Sequence, residues 1–291
     1  MDLGRVGAVR VRSRAPFGLS RSDALTLGGL AIIAVLVAGT AAPSLTSAAN
    51  PGSLTPSDKL DLAAEQMHSA LAAGFDFTVV SRSTLNAKAG GPKIEIPDPS
   101  DPYKVAGVAD TFDMGASAAV GTVRGDEFFL QMYGGAIPAA GRLDTAGLEP
   151  TLAALVTGGK QWRNDGAGWY QTDQLPGIGL DPRTAALLPS LLGRAARATD
   201  VQPVTVGDKS LAAVAGEASV DDAPGLMAID AASFTELTQP VTFVFDAEGR
   251  LAELTATMRN TRVKEFDLIV VATITFDYSQ VSAIPSPEAT R

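Results

Sequence analysis

The distribution of hydrophobic and polar positions after residue 74 predicts a series of antiparallel strands. In the segment 268–278, Leu268 and every second residue up to Tyr278 share one face, which is apolar, while the opposite face becomes polar toward its end. Successive side chains of a strand point to opposite faces, so a period of two predicts a half-buried strand. Tight turns at Gly125–Asp126, in "NDGAG" (164–168) and in "AEG" (247–249) predict that neighbouring strands pair as hairpins.

Three of these predicted strands carry large apolar side chains on a single face. They lie at 127–133, 241–246 and 268–278. We expect each apolar face to cover either a packed core or an apolar ligand, and the alanine- and glycine-rich composition suits both interpretations. The positions singled out on these faces are Phe128, Leu130, Met132, Val241, Phe243, Phe245, Val270, Ile274 and Phe276.

A helix is predicted immediately before the first strand. Thr55 is placed as the N-cap, with Pro56 in the first helical position and Asp58 in the third. Apolar residues then follow a helical period until Gly74, which ends the helix. His68, the only histidine of the chain, is interpreted as a surface or rim residue of this helix.

Further helices and one loop are predicted from the remaining segments. Short helices are expected over 148–159 and 225–237, and another over 180–200 that Pro189 kinks or splits. The proline- and glycine-rich segment 90–104 is expected to be a loop. Its aspartates Asp98 and Asp101 both precede prolines and lack the glycine and glutamate of a calcium loop, so we predict no calcium site there.

The N-terminal 49 residues have the pattern of an export or anchoring segment. Five arginines precede the apolar run Ala24–Ala42, and no charged residue occurs between Ala24 and Ser57. The arginine bias places the N-terminus in the cytoplasm and the rest of the chain outside. Two interpretations stay open, namely a signal peptide cleaved near Ser47–Ala49 and an uncleaved membrane anchor.

Composition and charge exclude several functional classes. The chain has 291 residues, no cysteine and one histidine, which excludes disulfides, thiolate metal sites and sites built on two imidazoles. The net charge is −9, and the first 49 residues carry +3, so the remainder carries −12. An acidic body makes nucleic acid an unsuitable partner. No nucleophile elbow, phosphate-binding loop or dinucleotide fingerprint is present, so we predict neither an enzyme nor a cofactor.

The order of elements and two short motifs resemble those of the LppX/LprG lipoproteins and the wider LolA-like carriers. The similarity covers residues 57–287, between a linker at 50–56 and a tail at 288–291. The first motif is a hairpin, and the second closes the chain. The matching residues are Asp246, Gly249, Arg250 and Leu251 in the first, and Phe276, Asp277, Tyr278, Val281, Ile284, Pro285 and Pro287 in the second.

This resemblance implies an α+β fold, an antiparallel half-barrel with helices packed on its concave face. It also implies an apolar cavity for the acyl chains of a lipid, glycolipid or lipoprotein, lined by residues of the apolar faces named above. The lipidated cysteine of LppX/LprG lipoproteins is missing, which implies a soluble carrier or one held by its own N-terminal helix. The alternative is a membrane-anchored sensor or interaction domain of the cell envelope without transport activity.

Overall fold

The computed structural model describes residues 54–98, 100–135, 148–173, 185–206, 208–219, 238–260 and 265–287. The predicted N-terminal segment and the predicted helix over 225–237 lie outside these residues. Within them, no helix is long and apolar enough to cross a membrane.

Two helices and thirteen strands make up the described part of the chain. In chain order they are α1 (Pro56–Ala73), β1 (Phe75–Ala87), β2 (Ile94–Asp98), β3 (Asp101–Ala109), β4 (Thr111–Arg124), β5 (Glu127–Gly135), β6 (Leu152–Thr157), β7 (Lys160–Asn164), β8 (Trp169–Gln171), α2 (Leu188–Arg194), β9 (Ala196–Val206), β10 (Lys209–Ser219), β11 (Thr238–Phe245), β12 (Leu251–Asn260) and β13 (Phe266–Asp277).

Eleven of the strands form one open antiparallel sheet in the order β8-β7-β6-β5-β4-β1-β13-β12-β11-β10-β9. The closing strand β13 lies at the centre, between β1 and β12. Most neighbours are also consecutive in the chain. The exceptions are the contacts that β1 makes with β4 and β13, which bring the two ends of the domain together.

The sheet curves around α1. The Nζ atom of Lys59 in α1 lies 2.6 Å from Oδ1 of Asp200 in β9. Twelve residues later in the helix, the carbonyl oxygen of Leu71 accepts a hydrogen bond from the N–H of Gly125, in the turn after β4. Those twelve residues span about 18 Å, whereas β4 and β9 are six strand spacings, or about 29 Å, apart along the sheet. The helix lies above the sheet and reaches both places only because the sheet bends toward it.

The start and end of α1 are as predicted. Thr55 Oγ1 accepts from the N–H of Asp58, and the Asp58 carboxylate accepts from the N–H of Thr55, which completes a capping box. Gly74 follows the helix with φ of +97°, a conformation that favours glycine. His68 is exposed, as predicted.

The prediction of a loop over 90–104 was wrong, because β2 and β3 pair there as a separate two-stranded sheet. Pro97 lies where the register shifts, which is where a ladder tolerates a missing N–H. At the turn, Asp98 accepts hydrogen bonds from the N–H and hydroxyl of Ser100, and these bonds hold the pKa of Asp98 below its usual value. Asp101 accepts from the N–H of Tyr103.

Two of the predicted helices were also wrong in whole or in part. Residues 152–157, predicted to be helical, form β6, which pairs with β5 on one side and β7 on the other. In the segment 180–200, helix is confirmed only for α2, which begins at Leu188 with Pro189 in its first turn, and β9 starts at Ala196. In both places, pairing with neighbouring strands outweighs the local preference for helix.

Candidate functional site

All nine residues singled out from the sequence lie on one face of the curved sheet, here called the inner face. Their exposed fractions range from 0% for Leu130, Phe243 and Ile274 to 6% for Phe276. They belong to a single apolar cluster with residues of α1 and α2, so the structure brings all of them together. The aromatic members contact other rings, as in the stacked pair Phe77–Phe128 with centroids 6.3 Å apart. The five of the nine residues whose exposed fractions lie between these limits are Phe128, Met132, Val241, Phe245 and Val270.

The part of the inner face beneath α1 is tightly packed. Leu60, Ala63, Met67 and Ala70 of α1 are buried against it. The void between α1 and the turn after β11 has a volume of only about 10 Å³, roughly the size that holds one water. A Cβ atom at Gly249 would lie 2.7 Å from Leu62 Cδ2, so the helix rests directly on this turn.

A row of small side chains crosses the middle of the inner face. Ala272 of β13 pairs with Ser81 of β1 and with Ala256 of β12. The same register continues outward on both sides, so that the row crosses seven strands in all, and only one member of the row is larger than serine. From β5 to β10 the row consists of Gly134, Ser117, Ser81, Ala272, Ala256, Val241 and Gly216. We call it the small-residue row.

The two ends of the small-residue row differ. At Gly216 a Cβ atom would lie 3.1 Å from the carbonyl oxygen of Ala196, so the chain that follows α2 closes this end. At Gly134, which is exposed, a Cβ atom would have only an ordinary contact of 3.6 Å with Thr151 Cγ2. The row spans six strand spacings, about 29 Å along the sheet. It is therefore a long band of small side chains that is closed at Gly216, exposed at Gly134, and buried at its centre, where Ala272, Ala256 and Val241 are 0%, 1% and 2% exposed.

The apolar character of the inner face continues past the small-residue row. Leu85 of β1 pairs with Leu268 of β13 and with Phe112 of β4, and all three side chains are half-buried. They lie on the side of the row opposite to α1, toward the C-terminal end of β1. The inner face thus has a half filled by large side chains beneath α1, a band of small residues, and a partly exposed apolar rim.

The residues that carry the family resemblance meet at the end of the sheet beneath α1. Asp246 accepts hydrogen bonds from the backbone N–H and from Nε of Arg250, and the Arg250 guanidinium lies 4.6 Å from the ring centre of Tyr278. The Tyr278 hydroxyl donates to the carbonyl oxygen of Leu251 at 2.7 Å, and burial raises the pKa of this hydroxyl. These contacts join the β11–β12 turn to the chain after β13. They stabilise the scaffold at this end of the sheet.

Charged groups are few on the inner face, and the described residues contain no group of three or more potential metal ligands. A larger groove, with a volume of about 630 Å³, lies near the edge of the sheet at β9, β10 and β11. Most of its lining comes from the opposite face, including the ion pair of Arg197 with Glu217 at 2.8 Å. More of the surface of that groove is apolar than polar. Gly216 and Gln239 of the inner face also line it, whereas none of the nine predicted residues does.

No model of a known protein family matches the sequence, and no curated protein matches it. Among solved structures, lipoprotein LppX of Mycobacterium tuberculosis matches with 9% identity and a TM-score of 0.41 over 79% of this chain and 98% of that one. LprF of Mycobacterium bovis matches with 12% identity and a TM-score of 0.41, over 80% and 96% of the two chains.

A LolA superfamily protein of Nitrosomonas europaea matches with 11% identity and a TM-score of 0.26, over 80% and 96% of the two chains. The chain is thus similar to LppX-type and LolA-like structures. Identities and TM-scores at this level assign neither a ligand nor an activity to this chain.

Two features of the site were missed in the sequence. The small-residue row depends on the register of seven strands, and only two of its members, Val241 and Ala272, were placed on an apolar face beforehand. The other is Gln239, whose side chain is 1% exposed on β11. Its signal was present, because Gln239 continues the alternation of Val241, Phe243 and Phe245 by one step, but the strand was predicted to begin at Val241.

Proposed function

We propose that this protein is an extracytoplasmic carrier that binds the acyl chains of a lipid or lipoprotein on the inner face of its sheet. The chains lie along the small-residue row, between the filled half beneath α1 and the half-buried rim of Leu85, Phe112 and Leu268. The proposed function is binding and transfer, without a catalytic step. Of the nine apolar residues predicted from the sequence, Val241 belongs to the row and Val270 adjoins it on the side of the rim. The other seven lie on the side of α1.

The observation that carries this proposal is the shape of the inner face. A sheet that needed only a packed core would fill its middle with large side chains, as this one does beneath α1 with Phe75, Phe128 and Phe243. In the small-residue row, six of seven positions instead carry glycine, alanine or serine. The row is apolar and buried at its centre, long enough for a palmitoyl chain, and continuous with a partly exposed apolar rim.

The energetics of such a site suit transfer. Burying one methylene is worth about 0.8 kcal/mol, so a palmitoyl chain gains on the order of 12 kcal/mol when it leaves water. A bilayer offers nearly the same gain. A carrier with a site about as apolar as a membrane therefore exchanges its ligand with the membrane at little net cost, while the aqueous compartment between two membranes never holds the free chain.

Purification from the exported fraction, followed by native mass spectrometry, tests the proposal. We expect the full chain to carry adducts with the masses of acylated lipids, and we expect these adducts to be released in organic solvent. Protein that stays free of lipid after gentle purification, and that also fails to take up dipalmitoylglycerol in vitro, would contradict the proposal.

Export is the second part of the proposal. It rests on the arginines that precede Ala24–Ala42 and on the absence of charge up to Ser57. N-terminal sequencing of the protein from membrane and secreted fractions distinguishes a cleaved signal near Ala49 from a retained anchor. Full-length protein found free in the cytosol would refute both forms.

A further inference from the structure

Gln239 is the one buried polar side chain that has no partner in the part of the chain that the structure describes. Three polar side chains are buried there, namely Thr122, Gln239 and Asn260. Thr122 donates to Asp76 Oδ1 at 2.7 Å, and Asn260 is also engaged in an interaction. Neither Oε1 nor Nε2 of Gln239 has a hydrogen-bond partner. Because both ends of the amide are unpartnered, this holds for either orientation of the side chain.

The position of Gln239 places this amide on the inner face. In β11, Gln239 alternates with the buried inner-face residues Val241, Phe243 and Phe245, while Thr238 and Pro240 are exposed. Gln239 pairs with Ala218 of β10 and is the next inner-face residue after Val241, a member of the small-residue row. The amide therefore lies directly beside the closed end of the row, where Gly216 adjoins Val241.

A buried amide without partners is costly, because it loses its hydrogen bonds to water and gains none in return. Ligand sites in proteins are commonly apolar with a small number of polar groups that fix the orientation of the ligand. An amide offers two N–H donors and one carbonyl acceptor. That combination matches the polar end of an acylglycerol, which presents ester carbonyl acceptors next to a hydroxyl donor.

We propose that Gln239 binds the ester-linked glycerol end of an acylated ligand whose chains lie along the small-residue row. The Nε2 group donates to an ester carbonyl, and Oε1 accepts from a glycerol hydroxyl. Gln239 thereby selects ester-linked lipids over ether-linked lipids with the same chains. This inference rests on the proposed function and adds to it the chemical class of the ligand and its orientation.

The test compares two lipids that differ only in their linkage. Dipalmitoylglycerol has two ester carbonyls, whereas di-O-hexadecylglycerol has the same chains and hydroxyl but ether oxygens instead. Each is delivered from octyl glucoside micelles to the full chain, and binding is titrated by native mass spectrometry. Gln239→Met keeps an unbranched side chain of similar length and removes both hydrogen-bonding ends. Thr242→Val, on the same strand but on the opposite face, is the matched control.

We expect wild type and Thr242→Val to bind the diester about tenfold more tightly than the diether, and Gln239→Met to bind the two lipids equally. We expect Gln239→Met to be at least as stable as wild type, since it removes an unpartnered amide. Equal binding of the two lipids by wild type would overturn this inference and leave the carrier function standing. Binding of neither lipid would overturn both.

Two further outcomes would count against Gln239 alone. Unchanged diester preference in Gln239→Met would show that the amide does not contact the linkage. Marked destabilisation of both Gln239→Met and Gln239→Leu would show that the amide is bonded within the protein, and would therefore overturn the assignment of Gln239 as a ligand contact.

Discussion

Ala272→Phe is the most informative single change, because it places a phenyl ring in the centre of the small-residue row. Ala272 is 0% exposed, and its cross-strand partners are Ser81 and Ala256. Along β13 its inner-face neighbours are Val270 and Ile274, which are themselves buried. A ring at this position is thus confined along the strand and meets only small side chains across it.

The expected cost depends on what occupies the row. If protein atoms fill it, overpacking should cost about 1–3 kcal/mol. For a domain of this size each kcal/mol lowers Tm by roughly 2–4 °C, so Tm should fall by about 2–12 °C. If acyl chains occupy the row, the ring takes their place. The free energy of unfolding of the lipid-free protein should then change by less than about 1 kcal/mol, and the lipid carried per protein should fall severalfold.

Two measurements on the same preparations decide between these cases. Urea denaturation of delipidated protein gives the free energy of unfolding, and native mass spectrometry gives the lipid-bound fraction. Val271→Phe is the control, because Val271 is adjacent in β13 but lies on the opposite face and is 36% exposed. We expect it to change neither quantity appreciably. A destabilised Ala272→Phe that still binds as much lipid as wild type would refute the placement of the ligand along the row.

Three further predictions concern the scaffold that holds the site. Gly121→Ala should lower the free energy of unfolding by about 2 kcal/mol or more, because its Cβ would collide with the Phe129 carbonyl oxygen and lie 2.6 Å from Phe77 Cζ. A variant as stable as wild type in thermal denaturation would contradict this, and Gly134→Ala is the control. Gly193→Ala in α2 should raise the free energy of unfolding by about 0.5–1 kcal/mol, because the added Cβ meets nothing within 4 Å. A Tm lower than that of wild type would contradict this prediction. Burial raises the pKa of Glu253, so wild type loses stability as pH rises from the ordinary value of 4.5 toward the higher folded value. Glu253→Gln should therefore gain stability relative to wild type over that window, and a pH-independent difference in urea midpoints would contradict the assignment.

The hairpins could be predicted from sequence because their signals are local. The turn at Gly125, the turn before Arg250 and the alternation along β11 and β13 each need only a few consecutive residues. The faces of these strands followed from the same period, so the nine predicted residues were placed on one face correctly. Their burial in one cluster could also be expected, because each apolar face has to be covered by other residues.

The elements that were predicted wrongly depend on partners far along the chain. The segment 152–157, "LAALVT", has good local helix propensity, and it is a strand because β5 and β7 pair with it on both sides. The small-residue row was out of reach for a related reason. Cross-strand neighbours depend on register, and the bulge between Ser83 and Thr84 shifts the register of β1 against β4 in a way that no local pattern reveals.

The two proposals together give a physical account of how a carrier recognises one class of lipid without holding it too tightly. Acyl chains gain about the same free energy in the row as in a bilayer, so the chains alone give little preference for the protein. The polar end of the lipid loses its hydration on entering the site, which costs a few kcal/mol unless a hydrogen bond replaces the water. An unpartnered amide beside the closed end of the row supplies that bond, and binding also relieves its own burial cost. A lipid without the matching carbonyl recovers neither the lost hydration of its polar end nor the burial cost of the amide, so it stays in the membrane. An ester-linked lipid is exchanged at nearly equal free energy.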